Sequence, residues 1–221
     1  MIQEDRPSNR QQKQVTRQVF LATSANPAIP DYPHGSETKI TFSRDDHPPV
    51  VPQPGRAALV LEARIGNYDM SRVFMDGGSG INIIFTRTLE DMLIQNNALK
   101  HSSTTFHGIV PGKAVYPMGR ISLEVVFGDA ANFRKETLDF EVVDWKSQYH
   151  AILGRPGFAR LMAVPHYAYL KLKMSGPHGV ITVSGSFVRS DHCDKEFHKI
   201  AEAFTASQGS KTTGAEEENL S

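Results

Sequence analysis

The chain has 221 residues, 39% of them hydrophobic, and its 24 Lys and Arg balance 24 Asp and Glu. That composition, with a mean hydropathy of −0.34, suits one globular domain with polar flanks. It argues against a membrane span, because apolar runs such as Ala57–Leu61 and Gly80–Phe85 fall far short of a bilayer. It also gives no electrostatic reason to expect nucleic acid as the main partner. The lone Cys193 can form no internal disulfide and no cysteine-based zinc site.

In chain order, the first segment, 1–53, is read as a linker. Met1–Arg17 is rich in Gln, Arg, Asn and Lys, which marks a solvated tail or a frayed helix. Pro27, Pro30, Pro33, Pro48, Pro49, Pro52 and Pro54 then forbid long helices and central strands, leaving room for one short strand at Lys39–Phe42. From residue 54 the pattern turns to period two. Leu59, Leu61, Ala63 and Ile65 share one face of a strand, Gly66-Asn67 supplies a turn, and Arg72–Met75 is a second strand. A core helix is predicted over Thr88–Gln95, with Thr88 and Asp91 at capping-box spacing and Leu89, Met92 and Leu93 on one face. Alternation predicts further strands around Ile121–Phe127, Leu138–Val142 and Ala168–Lys173, the last with Tyr167, Tyr169, Lys171 and Lys173 on its outer face. A short helix over Cys193–Phe204 and a disordered tail complete the segment 187–221. The predicted class is all-β, a compact closed barrel or sandwich over 54–186 with one or two short helices.

Three segments carry possible chemistry. Val73-Phe74-Met75-Asp76-Gly77-Gly78-Ser79 places a carboxylate at the end of a strand, in a turn whose glycines let backbone N–H groups approach closely. Taken alone this is ordinary Asp-Gly turn chemistry. Phe106-His107-Gly108-Ile109-Val110-Pro111-Gly112-Lys113 ends in the Pro-Gly pair of a type II turn and reads as a mobile hairpin. Tyr149-His150-Ala151-Ile152-Leu153-Gly154-Arg155-Pro156 is a buried apolar strand ending at a glycine, against which another stretch of backbone can pack.

The order and wording of these segments resemble the retropepsin-like aspartic proteases of gypsy-type LTR retrotransposon polyproteins, especially those of plants. Members have two apolar residues before Asp-Thr-Gly or Asp-Ser-Gly, then a flap hairpin, then an apolar-apolar-Gly segment before a short helix. Here Phe74 and Met75, Asp76 to Ser79, Gly108 to Gly119, and Ile152-Leu153-Gly154 match in turn. The resemblance extends from the Gln-rich N-terminus to about Ser186, as in the region between gag and reverse transcriptase. No polymerase follows, so the chain is expected to be a fragment or the product of a truncated element.

The resemblance implies a retropepsin-like (acid protease) closed β-barrel at 54–186 that cuts a gag-pol polyprotein as a homodimer, without cofactor or metal. Asp76 is then the catalytic residue, Gly77, Gly78 and Ser79 its loop, Gly108, Ile109, Val110, Pro111 and Gly112 the substrate-binding flap, and Ile152, Leu153 and Gly154 the loop support. Its expected partners are a second copy and a polypeptide substrate, with no membrane, in the cytoplasm or in virus-like particles. Two departures concern the loop. Gly77 stands where the family has a hydroxyl that ties the dimer's two loops together, and Gly80 stands where several members have an acid that pairs with the Arg corresponding to Arg155. A catalytically inactive relic or dimerising interaction module is the alternative. His192, Cys193 and His198 lack a recognised zinc spacing and are read as a solvated tail.

Overall fold

The computed structural model describes residues 35–50, 55–108 and 114–217. Its centre is a closed barrel of six strands in the order β1-β2-β6-β3-β5-β4. β1 (Val60–Ile65) and β2 (Tyr68–Met75) form a hairpin. Gly66, at φ +59, makes the turn that alternation and Gly-Asn chemistry predict. β4 (Gly119–Gly128) and β5 (Phe133–Val143) form the long hairpin, paired from Gly119↔Val142 to Gly128↔Phe133. β1 joins β4 through Ile65↔Val125. On the other side β6 (Ala151–Leu153) runs parallel to β2 and antiparallel to β3 (Ile83–Phe85), which in turn runs parallel to β5.

Period two sorts the strands into an inner and an outer face. Val73 and Met75 of β2, Leu153 of β6 and Phe140 of β5 point into one continuous core. Phe74 and Ile152, their neighbours, point outward into a second apolar cluster. A separate sheet of β7 (Val164–His166), β8 (Lys171–Gly176) and β9 (Gly179–Ser184) lays Leu172, Met174 and Ile181 onto the first core.

Several expectations are corrected in detail. Lys39–Phe42 joins no ladder. Thr41 instead gives its carbonyl to Lys173 Nζ at 2.9 Å, and Phe42 packs on the His166 ring at 4.9 Å. The strand expected from Ala168 starts only at Lys171, because Leu170 adopts φ +50 and its N–H donates back to the Tyr167 carbonyl. Lys173 is not on an outer face but buried, paired with Asp46 Oδ1 at 2.7 Å.

The helix predicted at Thr88–Gln95 is α1, Thr86–Asp91. Thr88 does not cap it: its hydroxyl donates to the His150 carbonyl at 2.8 Å, tying the helix to the approach of β6. Leu93, at φ +58 and 84% exposed, ends the helix rather than sharing its buried face. After β6 comes α2 (Arg155–Leu161), and after β9 comes α3 (Phe187–Glu217). Where the sequence pattern starts a short helix at Cys193, α3 already opens at Phe187. Ser186 stands at its head, its Oγ accepting from the Arg189 N–H. No helix among the described residues is long and apolar enough to cross a membrane.

Candidate active site

The carboxylate of Asp76 is positioned by backbone. The Asp76 N–H donates to the Leu153 carbonyl at 2.9 Å, extending the parallel β2–β6 pairing by one residue. The chain then turns sharply, with the Ser79 N–H reaching the Asp76 carbonyl at 3.2 Å and the Gly78 N–H donating to Asp76 Oδ1 at 2.9 Å. A backbone donor aimed at one carboxylate oxygen fixes the side chain without neutralising it. Asp76 is partly exposed, and among the described residues no cation pairs with it.

Glycine is required where this loop meets the end of β6. A Cβ on Gly154 would lie 2.2 Å from the Ile81 carbonyl oxygen and 2.8 Å from that of Ser79, so any side chain would force the two segments apart. The Arg155 N–H donates to the Ser79 carbonyl at 2.9 Å, and its Nη1 reaches the Gly78 carbonyl at 3.4 Å. Arg155 thus finds a backbone partner in the loop where Gly80 offers no acid. Ser79 turns its hydroxyl inward to the Ile81 carbonyl at 2.8 Å. At Gly77 a Cβ would sit 2.9 Å from the Tyr167 hydroxyl oxygen, so Tyr167, from the β7–β8 turn, closes over the loop where a side chain at 77 would stand.

Asn82 is the hub beneath the loop, and sequence reasoning missed it. Buried to 4% exposure, it accepts at Oδ1 from the N–H groups of Gly154 (3.0 Å) and Gly157 (3.2 Å) and donates from Nδ2 to the Asp139 carbonyl (3.0 Å). It therefore caps the start of α2 from another part of the chain and ties the loop, β5 and the end of β6 together. The available signal is one polar residue inside the apolar run Ile81–Phe85. Tyr167 carried no such signal.

Of the residues expected to form a hairpin, Gly108 has φ +99, and Phe106 and Val115 pair across an isolated antiparallel bridge with mutual N–H···O bonds of 3.2 and 2.7 Å. Ile109, Val110, Pro111 and Gly112 lie outside the described residues. Phe106 and Val115 belong to the outer cluster with Ile152, Phe74 and Ile81, whereas Leu153 faces the barrel core. The His150 pKa is lowered by burial and then by the Arg72 guanidinium, whose Nη2 lies 2.7 Å from His150 Nε2. Burial also raises the Tyr149 hydroxyl and the Cys193 thiol. His192, Cys193 and His198 are not brought together as a metal-binding group among the described residues.

No family model matches the chain, and no curated protein does. Solved structures similar to it include the following two. The retroviral protease-like domain of Ddi1 from Leishmania major aligns at 16% identity over 58% of this chain and 93% of that chain, with a TM-score of 0.43. A retropepsin-like aspartic protease from Rickettsia conorii aligns at 14% identity over 56% of this chain and 79% of that chain, with a TM-score of 0.36.

Proposed function

We propose that the chain is an aspartic endopeptidase that works as a homodimer, with one Asp76 from each subunit. The observation that carries this reading is the partly open Asp76 carboxylate, held by the Gly78 N–H on a loop locked against Gly154 and free of any paired cation among the described residues. The side chain is fixed in direction by a backbone donor and stays partly open to solvent.

Peptide hydrolysis by this route needs two carboxylates sharing one proton. One draws a proton from water as it attacks, and the other donates to the scissile carbonyl oxygen. One chain brings one such loop, so the second carboxylate comes from a second copy on a two-fold axis. Like charges that close cannot both ionise cheaply, so the pair titrates in two steps and activity favours acidic to neutral pH. The Phe106↔Val115 bridge is read as the base of a flap that closes over an extended peptide, which binds as an added strand. The sequence resemblance extends the proposal to a retrotransposon gag-pol polyprotein as substrate.

Asp76→Asn keeps the size and the Gly78 bond of the side chain but removes its proton exchange. It is expected to lower peptide cleavage at least about a thousandfold with no loss of thermal stability. Unchanged cleavage would remove Asp76 from the mechanism. The inactive-module reading draws on Gly77, which leaves the loop without a hydroxyl of its own. It predicts a folded dimer that cleaves nothing.

A further inference from the structure

The outer apolar face beside Asp76 is already occupied. Phe74 and Ile81 flank the loop in sequence, Ile152 pairs with Phe74 across β2 and β6, and the bridged residues Phe106 and Val115 join the same cluster. Cys193 of α3 packs into the same cluster with no exposed surface. Further along α3, Phe204 meets the edge of Trp145 at 5.0 Å, and near its start Arg189 reaches Glu62 at 2.6 Å.

The fit is apolar but electrically poor. Trp145 Nε1, whose ring meets Phe204 of α3, is buried with no hydrogen-bond partner among the described residues. Arg72 Nε is unpartnered as well, and the Arg72 charge opposes the burial that raises the Cys193 thiol of α3. A permanent core satisfies such groups, and a cover that comes off returns them to water.

We infer that α3 is an intramolecular strap over the peptide-binding groove, displaced when an extended apolar peptide binds. This rests on the endopeptidase reading and adds its regulation. Only the fraction of chains with α3 released would bind peptide, so apparent affinity is reduced by that fraction.

The chain has one Cys and one Trp, and both lie in this contact, so each reports on it without labels elsewhere. The test takes the full chain and a short apolar peptide carrying a statine in place of the scissile bond. Cys193 should react slowly with an aromatic disulfide reagent in the free chain and about tenfold or more faster at saturating peptide, with a red shift of Trp145 emission. Cys193→Asp, which puts a charge in the buried seat, should bind the peptide about tenfold or more tightly than wild type. Equal binding by both, or a thiol that stays protected at saturation, overturns the strap and leaves the endopeptidase reading standing. Binding by neither removes both. Should Cys193→Asp fail to fold, the wild-type labelling rates decide alone.

Discussion

Asn82 shows how one side chain can set the geometry of a loop to which it does not belong. Replacing it by Ala leaves the buried Gly154 N–H without its partner, removes the second acceptor of the Gly157 N–H and takes the side-chain donor from the Asp139 carbonyl. Asn82→Ala should therefore cost about 3 kcal/mol in denaturant unfolding, more than a surface polar truncation. His150 gives a pH signature. Its folded-state pKa lies below the ordinary 6.5, so as pH falls through that value the unfolded chain takes up the proton first. Its contribution to stability is thus complete above 6.5 and lost as pH drops toward the lowered value. Urea midpoints should fall between about pH 7.5 and about pH 5.5 in wild type, and less in His150→Gln. Asp76 and its glycines were legible in the sequence because an acid after a strand, followed by residues without side chains, is a local pattern. Asn82 was not, because its partners come from β5 and the end of β6, and no local pattern reveals which strands meet.

Strand faces were legible where alternation was clean, as in β1, β4 and β5. Period two says which residues are buried but not which strand lies alongside, so the parallel β2–β6 and β3–β5 pairings that build the loop's seat came only from the structure. Propensity also failed where tertiary bonds override it. Thr88 gives its hydroxyl to β6's approach instead of a cap, and Leu170 enters the left-handed region where alternation implied a strand. The end of α1 offers a test. Leu93 N–H donates to the Glu90 carbonyl and Ile94 N–H to that of Leu89, the paired bonds of a left-handed helix stop, yet the left-handed residue is an exposed Leu. Leu93→Gly should raise stability by about 0.5–1 kcal/mol by removing the Cβ strain, read as a higher denaturant midpoint at unchanged slope. Gly154→Ala, by contrast, drives a methyl into the Ile81 carbonyl and should leave little folded protein at ambient temperature.

At the scale of the whole molecule, the barrel core holds the Asp76 loop from the inside, while the outer cluster presents an apolar floor between that loop and the hairpin. On the proposed reading, a site with one acid per chain makes activity a property of the dimer. Specific activity should fall on dilution in step with dissociation measured by sedimentation, whereas a self-sufficient monomer would show none of this dependence. The most direct measurement is cleavage of a fusion carrying residues 26–54 by wild type, Cys193→Asp, and each with Asp76→Asn added, across acidic to neutral pH. The proposed enzyme cuts the fusion, faster with Cys193→Asp, and stops cutting with Asp76→Asn or with the statine peptide. A fusion left intact by folded, dimeric wild type and Cys193→Asp alike, or cut equally well with Asp76→Asn, would contradict it.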